Sequence, residues 1–463
     1  MVKVTQFRQA ALVLAIGGLL ASCAATELVV PATHPGHPTA LAASAASSPR
    51  RGVNDPTHRR RVHQLLAQSL DAQAASRIAM LNNGGARALA EDLNVAIGNL
   101  ASARSLPNPT VRGALRFRDA DKPAIDLGAL ISVRDLILVV ARSGAAESAV
   151  DAAKLSVLGS LLDISFRTRR TFFDYQAALQ SLELRRSVVA ALSASLEATE
   201  RLRAADATTE QALATEQAAL ADALLRVQQG EAVVASARER LNGLMGLWGA
   251  ETEWRAEARL PALPRAELGL GDLEAEAIRH SLDLEIAKRR FTAAAKRTNA
   301  SRAAAIIPEL RVGVSAERRE AWGIGPAVEI GVPLLYQGQG EVAVAEAEQR
   351  QQRLIFTDTA VRIRAAARSA AAALSAARER VVYSVDVLIP LKQRLLYETL
   401  LERDTQPATA LDVMQAKREQ IEACETYIEQ LREYWVARSR VEQLLAGRLD
   451  ASALDNSVRP EGR

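Results

Sequence analysis

Two cysteines, five histidines and four methionines among 463 residues leave little material for several kinds of chemistry. The chain holds no nucleophile elbow, phosphate loop or zinc signature, and so few histidines offer little for acid–base work. An enzyme is the class the sequence supports least. Met1 is one of the four methionines, so nothing suggests a methionine-lined route for copper. Beyond the N-terminus, no run of some eighteen uncharged apolar residues could form a membrane helix. Any crossing of a bilayer therefore falls to a β-barrel. Blocks of like charge are also missing: 58 basic and 54 acidic residues are interspersed, for a net charge of +4. Nothing there asks for nucleic acid. Aromatic residues are only 4% of the chain while hydrophobic residues are 49%, with alanine dominant. That balance suits long, closely packed helices better than a thick globular core.

What is present begins with "LAIGGLLASCAAT". Lys3 and Arg8 precede an uncharged stretch from Ala10 to Leu20 and then small residues, the order of a secretory signal peptide. The apolar run of about eleven residues is too short to span a bilayer. Leu20-Ala21-Ser22-Cys23 resembles the bacterial lipobox, whose cysteine carries a covalent lipid and becomes the mature N-terminus. An ordinary signal with an incidental cysteine is the alternative. Ala24, where an aspartate would favour the inner membrane, points by the same resemblance to the outer one. With Cys23 committed to lipid, Cys424 has no disulfide partner. From Ala24 to about Arg61 the chain is rich in Ala, Pro, His and Ser and reads as a flexible tether. His34 and His37 lie in it without a cysteine or carboxylate nearby, a poor metal site.

Beyond the tether the sequence answers itself at a spacing near 200 residues, the mark of an internal repeat. "NPTVRGALRF" (Asn108–Phe117) matches "IPELRVGVSA" (Ile307–Ala316), and "ARERLNGLMG" ending at Gly246 matches "ARSRVEQLLAG" ending at Gly447. Each half reads as a helix, two alternating stretches and two very long helical patterns. Val111, Gly113, Leu115 and Phe117 oppose Thr110, Arg112 and Arg116, and Leu310, Val312 and Val314 oppose Glu309, Arg311 and Ser315. Period-two patterning of this kind predicts short strands, each with one apolar and one polar face. A soluble sandwich would alternate likewise. Four strands cannot close a barrel in lipid, whereas three chains would supply twelve, so the pattern asks for a trimer. The long segments carry heptads: Tyr175, Leu182, Val189 and Leu196; Leu213 to Leu241; Leu374, Val381, Leu388 and Leu395; Met414, Ile421, Ile428 and Trp435. Such runs predict antiparallel coiled-coil helices, one of them over Ser143–Ala204.

Together these features resemble the TolC-type outer membrane efflux family from about Leu65 to Gly447. "GPAVEIGVPLLYQGQGEVAVAEAEQR" (Gly325–Arg350), "IAMLNNGGARALAEDLNVAIGNLASARSLPNP" (Ile78–Pro109) and "LDVMQAKREQIEACETYIEQLREYWVARSRVEQLLAG" (Leu411–Gly447) carry the likeness. The implied fold is mainly α with a transmembrane β-barrel. In it, a homotrimer forms a twelve-stranded barrel, four strands per chain (near 110–118, 124–134, 309–318 and 325–333), continued by a long coiled-coil helical barrel in the periplasm. The implied domains are a signal peptide (1–22), a lipidated tether (23–62), two repeats (63–259 and 273–447) around a Pro/Gly-rich linker (260–272), and a tail (448–463).

The resemblance implies an exit duct of a tripartite efflux pump, conducting small molecules or metal ions without bond chemistry. Its partners would be a periplasmic adaptor, an inner-membrane pump of the RND type and outer membrane lipid, with no cofactor beyond the lipid on Cys23. A periplasmic coiled-coil scaffold or adaptor lipoprotein without a pore is the competing reading. The family narrows its periplasmic end with an acidic ring. Asp412 stands where the first ring aspartate is expected, and Gln415 replaces the second carboxylate. Read without the resemblance, Asp412 is a first-turn carboxylate complementing a helix dipole. Glu402, Arg403 and Asp404 are expected to restrain the same gate through ion pairs. The hairpin turns Arg203–Glu210 and Glu402–Asp412 would meet the adaptor through Ala205, Asp206, Ala207, Thr405 and Gln406. Neither turn has the family's Val-Gly-Leu-like motif. Thr208 or Thr209, and Thr409, are the expected helix caps. The outer loops would be 119–123 and Arg319–Ile324.

Overall fold

The computed structural model describes residues 56–117, 124–266, 268–318, 321–332, 336–404 and 410–450; for 56–58, 403–404 and 410–411 it describes the backbone alone. Three helices open the chain: α1 (Pro56–Leu66), α2 (Ala72–Asn82) and α3 (Gly84–Arg104). Strands β1 (Thr110–Arg116) and β2 (Ala124–Ser132) lead into α4 (Val133–Ala204) and α5 (Glu210–Met245). The second half runs α6 (Leu273–Arg279), α7 (Leu282–Ile306), β3 (Glu309–Arg318), β4 (Trp322–Gly331), α8 (Gln339–Tyr383), α9 (Ile389–Asp404) and α10 (Ala410–Leu445). Each half sets two strands between opening helices and long helices, with three opening helices in the first half and two in the second.

Several boundaries differ from those read in the sequence. Helix α1 starts at Pro56, inside the stretch read as tether, because proline at a first helical position gives up only an amide that has no partner anyway. Helix α4 starts ten residues before Ser143, directly after β2. The Ser132 hydroxyl accepts from Asp135 N at 3.2 Å and caps it, so no loop is needed. At 72 residues it is about 110 Å long. Strand β4 starts at Trp322, within the stretch assigned to an outer loop, since Trp322 pairs with Arg318 and Gly323 with Glu317.

The second long helix is interrupted where the first is continuous. Between α8 and α9, residues Ser384–Leu388 form one wide π-helical turn. Pro390 follows; it lacks an N–H, and its ring crowds the preceding turn, strain that a wide turn relieves. The extra residue shifts the heptad phase. Leu395, expected in the seam, is exposed, as are Leu391 and Tyr397.

The core lies around the middle of α4, where the few aromatics gather. Phe172 and Tyr175 pack with Ile78, Leu241 and Trp254. Phe173 packs with Leu374, Val381, Tyr434 and Val441, and Phe166 with Leu93, Val157 and Leu161. The segment read as a linker is stapled to this core. Leu260 is buried, and Gln176 Nε2 donates to the carbonyls of Glu257 (3.1 Å) and Arg259 (2.9 Å). Trp435 Nε1 donates to Pro261 O at 2.8 Å.

Two glycines end the closing helices of the two halves alike. Gly246 caps α5 and Gly447 follows α10, both at positive φ (67° and 86°). Each packs its backbone on the kink where a short helix turns into the next. Asn82 Nδ2 donates to Gly246 O at 2.8 Å, and Leu282 N donates to Gly447 O at 2.9 Å.

Candidate functional site: an open sheet and the helical tips

The strands form one antiparallel sheet in the order β1-β2-β3-β4. Register sorts its two faces. One carries Val111, Leu115, Ile125, Leu127, Val312, Val314, Ile324, Val328 and Ile330. Most of this face is exposed, Val111 and Ile324 to 78% and 76%. The other face carries charge. Arg116 Nε lies 2.9 Å from Asp126, Arg311 pairs with Glu309 at 2.5 Å and with Glu329 at 3.7 Å, and Arg112 also pairs with Glu329. Small residues (Ala114, Gly128, Gly313, Ser315, Gly325 and Ala327) fill much of the rest of it, beside Thr110, Leu130 and Glu317. β1 and β4 are edge strands. No described helix is long and apolar enough to cross a membrane.

At the far end of α4, residues 205–209 turn the chain into α5. Asp206 takes a left-handed conformation (φ 54°), and Ala207 N donates to Leu202 O at 2.8 Å. Arg203 clamps the turn, donating to Asp206 Oδ1 at 2.9 Å and to Glu210 Oε2 at 3.2 Å. Thr209 caps α5, its hydroxyl accepting from Ala212 N at 3.1 Å; Thr208 does not. Ala205, Asp206 and Ala207 are all exposed.

The second tip is described on its flanks. Glu402 is exposed near the end of α9, and Asp412 is exposed in the first turn of α10. Arg403 and Asp404 complete α9, but their side chains, like Thr405, Gln406 and Thr409 as a whole, lie outside the described residues, as do Cys23, His34 and His37. Farther along the same hairpin, Lys392 of α9 holds Glu419 of α10 at 2.7 Å, and Gln415 Nε2 donates to the same carboxylate at 2.9 Å. The Lys392 hydrogen bond, then that of Gln415, lowers the Glu419 pKa below the usual carboxylate value. Where the resemblance leads one to expect a second acidic group, Gln415 thus steadies, from the same helix, the carboxylate that Lys392 of α9 holds.

A second charged cluster has no counterpart in the sequence reading. Arg448, in the stretch read as a tail, bridges Asp163 of α4 and Asp283 of α7 from a partly buried position, and Leu449 N donates to Asp283 Oδ2 at 2.8 Å. Burial pushes the Asp283 carboxyl up against the pull of Arg448. Burial also opposes the Arg448 charge, yet Asp163 and Asp283 together hold its pKa above the ordinary value. These residues stand more than a hundred positions apart in the chain, so no local motif announces them. Cys424 is a half-buried free thiol whose pKa burial raises. Among the described residues, no group of three or more His, Cys, Asp and Glu side chains is placed to hold a metal ion.

No protein-family model and no curated protein matches the chain. Solved structures do, at low identity and over most of both chains. The CmeC outer membrane channel of Campylobacter jejuni is 12% identical, covering 84% of this chain and 87% of its own, with a TM-score of 0.69. A membrane protein from Pseudomonas aeruginosa is 17% identical over 83% of this chain and 93% of its own, at 0.67. The MtrE outer membrane channel of Neisseria gonorrhoeae, in its open state, is 17% identical over 82% and 90%, at 0.66. With its long helical hairpins and one four-stranded antiparallel sheet, the chain has the fold of the TolC-type outer membrane channels.

Proposed function

We propose that the protein is an outer membrane exit duct of a tripartite efflux system, working as a homotrimer with a periplasmic adaptor and an inner-membrane pump of the RND type. One observation carries this reading. The sheet exposes a broad apolar face, backs it with charge, and leaves both edges open. In water that face is a liability. In lipid the face is satisfied but the open edges are not, so strands from further copies must close a barrel. The exposed apolar residues along α8 and α9 suit the same assembly. A scaffold without a pore has no use for a sheet with one lipid-compatible face.

In this reading the helices form a tunnel whose end is gated by the tip residues Asp412, Glu402, Arg403 and Asp404. Carboxylates gathered on a symmetry axis repel one another and attract cations, which makes them a selectivity element. The turns at Ala205, Asp206 and Ala207, and at Thr405 and Gln406, would face the adaptor. Cys23 would carry the lipid. A single chain of that kind binds a membrane only marginally, so it assists the barrel rather than replacing it.

The test is planar-bilayer conductance of the detergent-extracted protein, with its oligomeric mass measured in the same sample. A trimer giving discrete, cation-selective channels is the expected result. A monomer without conductance that fails to fractionate with the outer membrane would favour the scaffold.

A further inference from the structure

Arg112 and Glu329 sit on opposite edge strands of the sheet, yet they form an ion pair within one chain. The contact requires strong coiling. β2 and β4, next-but-one neighbours, come within 8 Å of each other, where flat strands would stand about 9.6 Å apart. Gly128, Gly313, Ser315 and Ala327 keep most of the intervening face low, and the Arg112 side chain crosses beside Leu130, the one large apolar residue in the rows between. The register adds a stagger. Arg112 shares its cross-strand row with Gly128, Ser315 and Gly325, and Glu329 stands four positions along β4 from Gly325.

That stagger is the one a closed barrel needs. A strand tilt near 36° shifts the register by about one residue per strand, hence about four residues over four strands. When β4 of one copy meets β1 of the next, the row through Gly325 therefore passes the neighbouring Arg112 by about four positions. The residue brought beside that arginine is Glu329. The coil of the single chain has the matching sense, since it brings the same two residues together.

We propose that Arg112 and Glu329 form an ion pair across the β1–β4 seam between two copies of this chain, on the pore-facing side, and that the pair seen within one chain is exchanged for it on assembly. The seam then has an electrostatic register mark, repeated at each of the three joints. A one-residue slip would put the two side chains on opposite faces of the sheet, so the pair could not form. The inference rests on the trimeric reading above.

Charge reversal in two separately tagged chains tests it. R112E carries two acidic groups at these positions, and E329R carries two basic ones. Neither can form the pair within itself, but in a mixed trimer two of the three seams join unlike charges and only one keeps like charges. Expressed alone, each variant should yield less heat-resistant trimer than the wild type. Expressed together, they should yield roughly tenfold more than either alone, because two of the three repulsive seams become attractive. The double variant R112E/E329R restores the seam pair everywhere but loses the cross-strand pairing of Glu329 with Arg311, so it controls for folding and should assemble better than either single reversal. Recovery in the double variant without recovery in the mixture would mean that the pair acts only within a chain, and would overturn the proposal. So would wild-type assembly by both single reversals. A wild-type protein that is monomeric by mass would instead overturn the trimeric reading, and the seam with it.

Discussion

Replacing Gly447 with alanine probes the contact between the end of α10 and the kink from α6 into α7, all within the second half of the chain. Gly447 has φ +86°, and a Cβ there would overlap the His280 carbonyl oxygen and stand 2.8 Å from Leu282 N. Leu282 N also donates to Gly447 O at 2.9 Å, so the backbones cannot separate without losing a hydrogen bond. The left-handed conformation costs a Cβ-bearing residue about 1–2 kcal/mol. Relieving the overlap adds about 1–3 kcal/mol, as over-packing of a tight contact does. The expected loss is therefore about 2–5 kcal/mol of unfolding free energy, read from urea denaturation of the detergent-solubilised protein by far-ultraviolet circular dichroism. Gly246→Ala should behave alike, because its Cβ would come 2.6 Å from Asn82 O at φ +67°. Gly243 is the control. It lies within α5 with nothing within 4 Å of its Cβ position, so alanine there should leave stability unchanged or raise it by about 0.5–1 kcal/mol. A Gly447→Ala protein that unfolds with the wild-type midpoint would refute the close-approach argument.

Other perturbations follow from the charged contacts. Arg448→Ala would leave Asp163 and Asp283 without their shared cation; removing one partner of such a partly buried cluster should cost about 3–5 kcal/mol in the same denaturation assay. Glu419 has a lowered pKa, so its contribution to holding α9 against α10 is present above the ordinary value and lost as pH falls through the folded one. Protease cleavage near the second tip should accordingly rise on acidification, and Glu419→Gln should abolish that pH dependence. Asp412→Asn should weaken block of conductance by multivalent cations. Unchanged block would remove Asp412 from the gate.

Local patterns are legible in the chain alone. Alternation in "NPTVRGALRF" and "IPELRVGVSA" locates the strands to within a few residues, because side chains on a strand must alternate faces. Heptads mark the long helices, and the matched glycines Gly246 and Gly447 mark where the closing helices end. Sequence and structure part where neighbouring residues decide an element's limits. Val133–Arg142 belongs to the long helix although the heptads begin later, because a single serine cap starts it early. Trp322 stands in a loop-like stretch that pairing with Arg318 converts to strand. The π turn before Pro390 is invisible to a heptad count, which assumes a constant phase.

By itself, the sequence determined the kinds of elements, their order and which face of each strand is apolar, because these depend on periods of two and three and a half residues along the chain. The tertiary structure alone decided which distant charges meet. Asp163 and Asp283 converge from two helices on Arg448, which lies beyond the end of a third, and Arg112 reaches Glu329 across two intervening strands. Ion pairs of that kind depend on how elements stack and how far a sheet coils. Neither leaves a period in the sequence.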